Sequence, residues 1–122
     1  MGNNRCIFEY RYRDSGNFKT YGRLLLEGQD KEAEATIRGY LEWDDQFVAE
    51  QVGIPALYKE HWISVEDGPS DLDHAFHEFV CLRAPGPEEK DLPTWGTLVE
   101  MIRRMRSAAQ RWDVRLSPNC DL

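Results

Sequence analysis

At 122 residues, 41% apolar and 30% charged, the chain has the size and composition of one folded domain, which excludes a disordered segment. Its net charge of −7 argues against nucleic-acid binding, which starts from a basic footprint. No apolar run is long enough to cross a bilayer, and the first six residues lack the apolar stretch of a signal peptide, so a cytoplasmic protein with no membrane partner is expected.

Residues 5–13 alternate. Cys6, Phe8, Tyr10 and Tyr12 fall on one face, and Arg5, Glu9, Arg11 and Arg13 fall on the other with Ile7. That pattern predicts a half-buried strand. Asp14, Ser15, Gly16 and Asn17 supply turn chemistry, and a second strand follows over residues 18–27. Its Phe18, Thr20, Leu24 and Leu26 share a face, and Gly22 between them marks a bulge or a close backbone approach. The two strands form an antiparallel hairpin. Asp30 is placed to cap a helix through about residue 41, with Ala33, Ile37, Tyr40 and Leu41 on its apolar face.

Residues 43–60 are aromatic and acidic, with Gly53 and Pro55 breaking any period. They read as an ordered loop with one short helical turn, in which Trp43 and Phe47, together with Trp62, plug one end of the core. A third strand is expected over residues 61–66 and a turn at Gly68 and Pro69. Residues 73–82 fit two patterns. Phe76, Phe79 and Val80 suit a strand, whereas Leu72, Phe76, Phe79 and Leu82 lie at helical spacing behind a Ser70/Asp73 capping box. A strand is preferred, because a lone two-stranded hairpin makes a poor sheet. The last helix is assigned to residues 94–112. Pro93 suits its start, and Leu98, Met101, Ile102, Met105, Ala109 and Trp112 form one stripe. Val114 and Leu116 belong to an extended tail. The fold class is therefore α+β: a small antiparallel sheet of three to four strands led by the N-terminal hairpin, with the C-terminal helix packed on one face, all in one domain.

The charge is uneven. Residues 29–91 hold five Lys or Arg against sixteen Asp or Glu, and the segments on either side are each at +2. Such a middle is either a solvated acidic face or a surface for a basic partner. The densest chemical cluster is residues 71–78, with Asp73, His74, His77 and Glu78 as candidate metal ligands. On a helix His74, His77 and Glu78 would converge; on a strand His74 and Glu78 share one face and Asp73 and His77 the other. The spacing is neither that of a zincin nor its inverted variant, so a divalent metal is a minor possibility and no cofactor is assigned. His74, His77 and Glu78 remain the candidate acid–base residues. A second cluster, Arg13, Asp14, Asn17 and Lys19 at the hairpin tip, could bind an anion, but Asp and Asn there more often build the turn.

Nucleophilic catalysis has little support. No serine sits in an elbow motif, and no phosphate-binding glycine loop exists. Cys81 would share a strand face with His77, but an apolar run makes a thiol inert. Cys6, Cys81 and Cys120 are too few and too far apart for a disulfide framework, which fits a reducing compartment. The arginines of the last helix are expected to pair with the acidic middle segment or to be solvated.

Three stretches resemble a pattern in short uncharacterised bacterial proteins: Tyr12-Arg13-Asp14-Ser15-Gly16-Asn17-Phe18-Lys19, then Phe47-Val48-Ala49-Glu50-Gln51-Val52-Gly53-Ile54-Pro55-Ala56-Leu57, then Asp73-His74-Ala75-Phe76-His77-Glu78-Phe79. The resemblance falls within residues 5–82 and implies a small bacterial domain with a polar patch built from those stretches. It implies no reaction.

Two function classes follow. One is a binding or accessory domain that works through protein contact, suggested by the acidic middle and by Trp43, Phe47, Tyr58 and Trp62 as exposed aromatic candidates. The other is a metal-assisted or acid–base hydrolase built on Asp73, His74, His77 and Glu78. Charge and ring patterning also predict that the 13–19 turn and the 73–78 segment adjoin, with Arg13 or Lys19 in reach of a carboxylate.

Overall fold

In a computed structural model, residues 4–13, 18–64 and 76–113 are described. Five strands form one mixed sheet: β1 (Arg5–Arg13), β2 (Lys19–Glu27), β3 (Gln46–Phe47), β4 (His77–Arg83) and β5 (Thr94–Thr97), in the order β3-β4-β1-β2-β5. The hairpin of β1 and β2 is antiparallel and in register from Arg5↔Glu27 to Arg13↔Lys19. The sheet is larger than expected, and β5 pairs with β2 in parallel. The reason lies at residues 94–97, which open no helix. Thr97 is the N-cap, and its hydroxyl accepts the Glu100 N–H at 3.0 Å. Proline is as well tolerated ahead of a strand as at the start of a helix.

Three helices lie on one side of the sheet: α1 (Ala33–Arg38), α2 (Tyr58–Ser64) and α3 (Leu98–Ala108). Helix α1 is shorter than its sequence pattern. Asp30 accepts the Glu32 N–H in a local turn, and the chain leaves the helix at Gly39. The expected third strand over 61–66 is replaced by α2 as far as Ser64. Leu57, Tyr58 and His61 are all buried there, the i, i+1, i+4 spacing of a helical face. Short 3-10 turns at Trp43–Asp45 and Ala49–Val52 flank β3, more structure than the single turn expected. The expected features at Asp14, Ser15, Gly16, Asn17, Gly68, Pro69, Ser70, Asp73, Val114, Leu116 and Cys120 lie outside the described residues.

The alternation of β1 is realised in full. Cys6, Phe8, Tyr10 and Tyr12 are buried on the helical side with Phe47, Leu57, Phe79, Met101 and Met105. Phe47 belongs to the core as expected, and Trp62 packs partly against it, but Trp43 is 83% exposed and plugs nothing. Phe18 is also exposed and lies outside β2. On the opposite side Ile7 and Leu25 pair in register and are both buried. A 3-10 turn at Pro87–Glu89 straddles that half of the sheet, since Glu89 reaches Arg83 of β4 and Arg23 of β2 across β1.

Gly22 marks neither a bulge nor a backbone approach: its pairing with Tyr10 is regular, and the groups that crowd it are side chains. A Cβ there would sit 2.9 Å from Leu57 Cδ2 and from the ring of Tyr10. Tyr10 cannot swing away, because it is buried and its hydroxyl donates to Pro55 O at 2.6 Å. Gly22→Ala should therefore cost roughly 1–3 kcal/mol of overpacking in urea unfolding. Gly96→Ala, where an added Cβ meets nothing within 4 Å, serves as the control. Equal midpoints for the two variants would refute the packing.

Candidate functional site

The site is organised by β4. Its pairing with β1 carries one irregularity: Glu9 faces Cys81, yet Tyr10 faces Phe79, so Val80 is a bulge. The extra residue resets the alternation. His77, Phe79 and Leu82 point toward the helices, whereas Glu78, Cys81 and Arg83 point to the outer face. Cys81 and His77 therefore do not share a face, against the expectation from simple alternation. Burial pushes the Cys6 thiol up to about 11 and, with Glu9 nearby, raises that of Cys81, so neither is poised as a thiolate.

His77 is fully buried, as is His61. The Leu57 N–H donates to His77 Nε2 at 3.0 Å, which requires that nitrogen to be unprotonated. Tyr58 and Tyr12 stand 5.0 and 5.3 Å from the His77 ring, centroid to centroid. His61 Nδ1 lies 2.9 Å from Thr20 Oγ1, with Tyr12 edge-on at 4.8 Å. This aromatic and imidazole cluster glues α2 and the 49–57 loop to the sheet. Its rings are all buried.

Glu78 faces the other way. Its side chain is only 5% exposed and is held by two cations: Arg11 Nε donates to Oε1 at 2.6 Å, and Arg13 Nη2 to Oε2 at 2.5 Å. The expected contact between the hairpin end and the later acidic segment is thus made by Arg13 and Glu78. Burial acts to lower the Arg11 guanidinium, but its bonds to Glu78 and Tyr21 outweigh that and leave it raised. Arg11 also donates to Tyr21 Oη at 3.3 Å and lies over that ring. Lys19 is opposite Arg13 in register, so like charges face each other, and Lys19 remains exposed.

Arg11, Arg13, Asp44, Asp45, Glu78 and Phe79 line a polar recess of ≈ 350 Å³. Asp44 and Asp45 are both left-handed, at φ 59° and 58°, a conformation that aspartate tolerates better than most residues. Arg38 anchors the pair through Asp45 at 2.5 Å. This tight turn is what thrusts Trp43 into solvent. Below the recess a second network ties Arg83 to Glu9 at 2.8 Å and to Glu89 at 2.7 Å, and Arg23 to Glu89 at 3.0 Å.

Of the residues singled out from sequence, the structure brings Arg13 and Glu78 together and puts Lys19 on the same face. It does not bring His77 and Glu78 together. Asp14, Asn17, Asp73 and His74 lie outside the described residues, and among the described residues no three His, Cys, Asp or Glu side chains converge as metal ligands. Of the aromatic contact candidates Trp43 is exposed, whereas Phe47 and Tyr58 are buried in the core; Arg11, Tyr21, Asp44 and Asp45 are not among the residues the sequence singles out. The signal for Arg11 was present, since it falls on the polar face of β1 two residues before Arg13. Comparison of the chain with family models, with curated proteins and with solved structures finds no match.

Two predictions follow from the carboxylates. Glu78→Ala leaves two arginines that are a quarter to a third exposed, so the penalty falls below that of a sealed ion pair, at roughly 1–3 kcal/mol. Glu78→Gln keeps one acceptor oxygen but turns an NH2 donor toward the other arginine, so it should also lose stability; wild-type unfolding of Glu78→Gln in urea would argue against the charge pairing. Glu89 is held at about 2 by Arg83, with the Gly86 N–H adding to it. Its folded value lies below the unfolded one, so the stability it contributes is complete above about pH 5 and vanishes as pH falls through about 2. Unfolding free energy measured across that window should fall less steeply with acid in Glu89→Gln than in wild type, and identical slopes would contradict the assignment.

Proposed function

We propose that this chain is a binding or accessory domain acting through protein contact, and that its contact surface is the open half of the outer sheet face. The observation that carries the reading is the pair of exposed aromatics, Tyr21 at 54% and Trp43 at 83%, flanking the recess of Arg11, Arg13 and Glu78. Aromatic and arginine side chains are the residue types enriched at protein interfaces. Arg11 and Glu78 are already held in place by each other, so a partner meets a pre-ordered surface. Arg13, Lys19 and Glu78, from two of the three stretches that resemble the short bacterial proteins, lie on this face, and no reaction is implied by them.

A hydrolytic reading has less in its favour, because His77 is turned into the core and away from Glu78. The test is capture from a native lysate with wild type and with Tyr21→Ala/Trp43→Ala. Both positions are exposed, so melting should shift by only a degree or two. A stoichiometric protein retained by wild type and lost by the double variant is the expected result. Capture of nothing, or equal capture by both, would overturn the reading.

A further inference from the structure

The sheet has two edges, and they are treated differently. On one side β3 covers only the start of β4, at Glu78 and His77. Beyond it the β4 backbone is satisfied by side chains of α1: Glu34 Oε1 accepts the Leu82 N–H at 2.8 Å, and Arg38 Nη2 donates to Val80 O at 2.7 Å. That edge is sealed. On the other side β5 pairs only with Leu25, Leu26 and Glu27 of β2. Residues 19–24 run on past it. Among the described residues no backbone or side-chain group bonds the outward N–H and C=O groups of that stretch. Every second residue of a strand turns both groups to the same edge, so 19–24 is an open template for another strand.

The side chains of this stretch narrow the occupant. Lys19, Tyr21 and Arg23 lie on the outer face and are exposed. Arg23 gives one nitrogen to Glu89, a carboxylate that Arg83 already engages twice, and Arg23 stays 51% exposed. Antiparallel pairing with a second copy centred on Tyr21 would place Lys19 directly opposite the partner copy's arginine, twice over. Like charges at directly opposed positions destabilise a strand pair. The edge therefore repels itself and attracts an anionic strand.

We propose that residues 19–24 of β2 form a strand-addition site that takes an extended partner segment with acidic residues four apart and an aromatic residue midway between them. The acids meet Lys19 and Arg23, and the ring meets Tyr21. The intervening residues fall on the inner side beside Thr20, Gly22 and half-buried Leu24, where small apolar side chains fit. This inference rests on the protein-contact reading and specifies its partner: an acidic, alternating segment held by main-chain hydrogen bonds.

The test uses isotope-labelled full chain and three synthetic peptides. One has the order acidic, apolar, aromatic, apolar, acidic; a second is the same peptide with N-methylated backbone amides; a third carries lysine in place of the acids. The first should slow hydrogen exchange at alternate amides of 19–24, and the N-methylated form should not. Lys19→Glu should weaken the acidic peptide about fivefold, as expected of one exposed cross-strand charge reversed, and should strengthen the lysine peptide. The proposal fails if exchange at 19–24 is unchanged at millimolar peptide, or if N-methylation makes no difference. It also fails if those amides are already protected in the free monomer, or become protected only as the chain dimerises. Peptide or partner effects confined to Arg11, Glu78 and Trp43 would sink the edge site and leave the contact surface standing. Loss of the wider reading is seen separately, in lysate capture that yields no partner.

Discussion

Strand β1 has a neighbour along each edge and opposite chemistry on its two faces. Tyr10, Tyr12 and Phe8 must leave water on one side, and Arg11, Arg13 and Glu9 must be kept solvated or paired on the other. With period 2, no single rotation or slip of the strand can satisfy both demands except the one observed. Everything else is arranged around that constraint. The helices and the 49–57 loop cover the ring side, and β2 and β4 bring to the other side the groups that answer the arginines. Glu78 is nearly inaccessible because it sits directly across from Arg11 in the middle of the sheet.

Ion pairs in such a place contribute little net stability over apolar residues of the same shape, since desolvation offsets much of the attraction. What they supply is register. A slip of β4 by one residue would send Glu78 in among Phe8, Tyr10 and Phe47, and send His77 out. The bulge at Val80 adds to this. It lets Phe79 and Leu82 both face the helices while Arg83 still reaches Glu9 and Glu89 on the outer face. The two networks, one at each end of the pairing, bracket the bulge and leave it one place to be.

How much of this could be read from the residues depended on whether the deciding contact was local. The β1 alternation and the α3 stripe through Leu98, Met101 and Met105 are self-contained patterns, and both were legible. The bulge is not, because nothing in the run from His77 to Arg83 says which residue β1 will skip. Residues 58–64 have the aromatic content of a strand, and only the burial of Leu57, Tyr58 and His61 together decides for a helix. As a core plug Trp43 is misread because a large ring is usually buried, whereas two consecutive left-handed aspartates, locked by Arg38, turn it out. At the candidate site, charge alone pointed to an attraction between the hairpin end and the acidic segment. It could not say that Arg11 would share Glu78, since that needs the β1–β4 register. The separation of His77 from Glu78 follows from the strand, and the strand itself was preferred only on grounds of sheet size.

The segregation of charge along the chain takes on meaning once the topology is known. The anions that bind Arg11, Arg13 and Arg23 are Glu78 and Glu89, both from the acidic middle segment, while the arginines come from the basic first segment. Within the middle segment Arg38 and Arg83 are likewise matched by Asp45, Glu9 and Glu89. On α3, Arg103 and Arg104 share Glu100. The pairs of Arg11, Arg13 and Arg23 thus join charges far apart in sequence and are made only when β1, β2 and β4 are in register, whereas Arg38–Asp45, Arg83–Glu89 and the α3 pairs are local. Lys19, at the end of β2 and opposite Arg13, is the cation for which this scheme provides a repulsion instead of a match. A fold that pairs its buried charges in this way leaves Lys19, one of several exposed cations, at the open end of a strand, where an anion would come from outside the sheet.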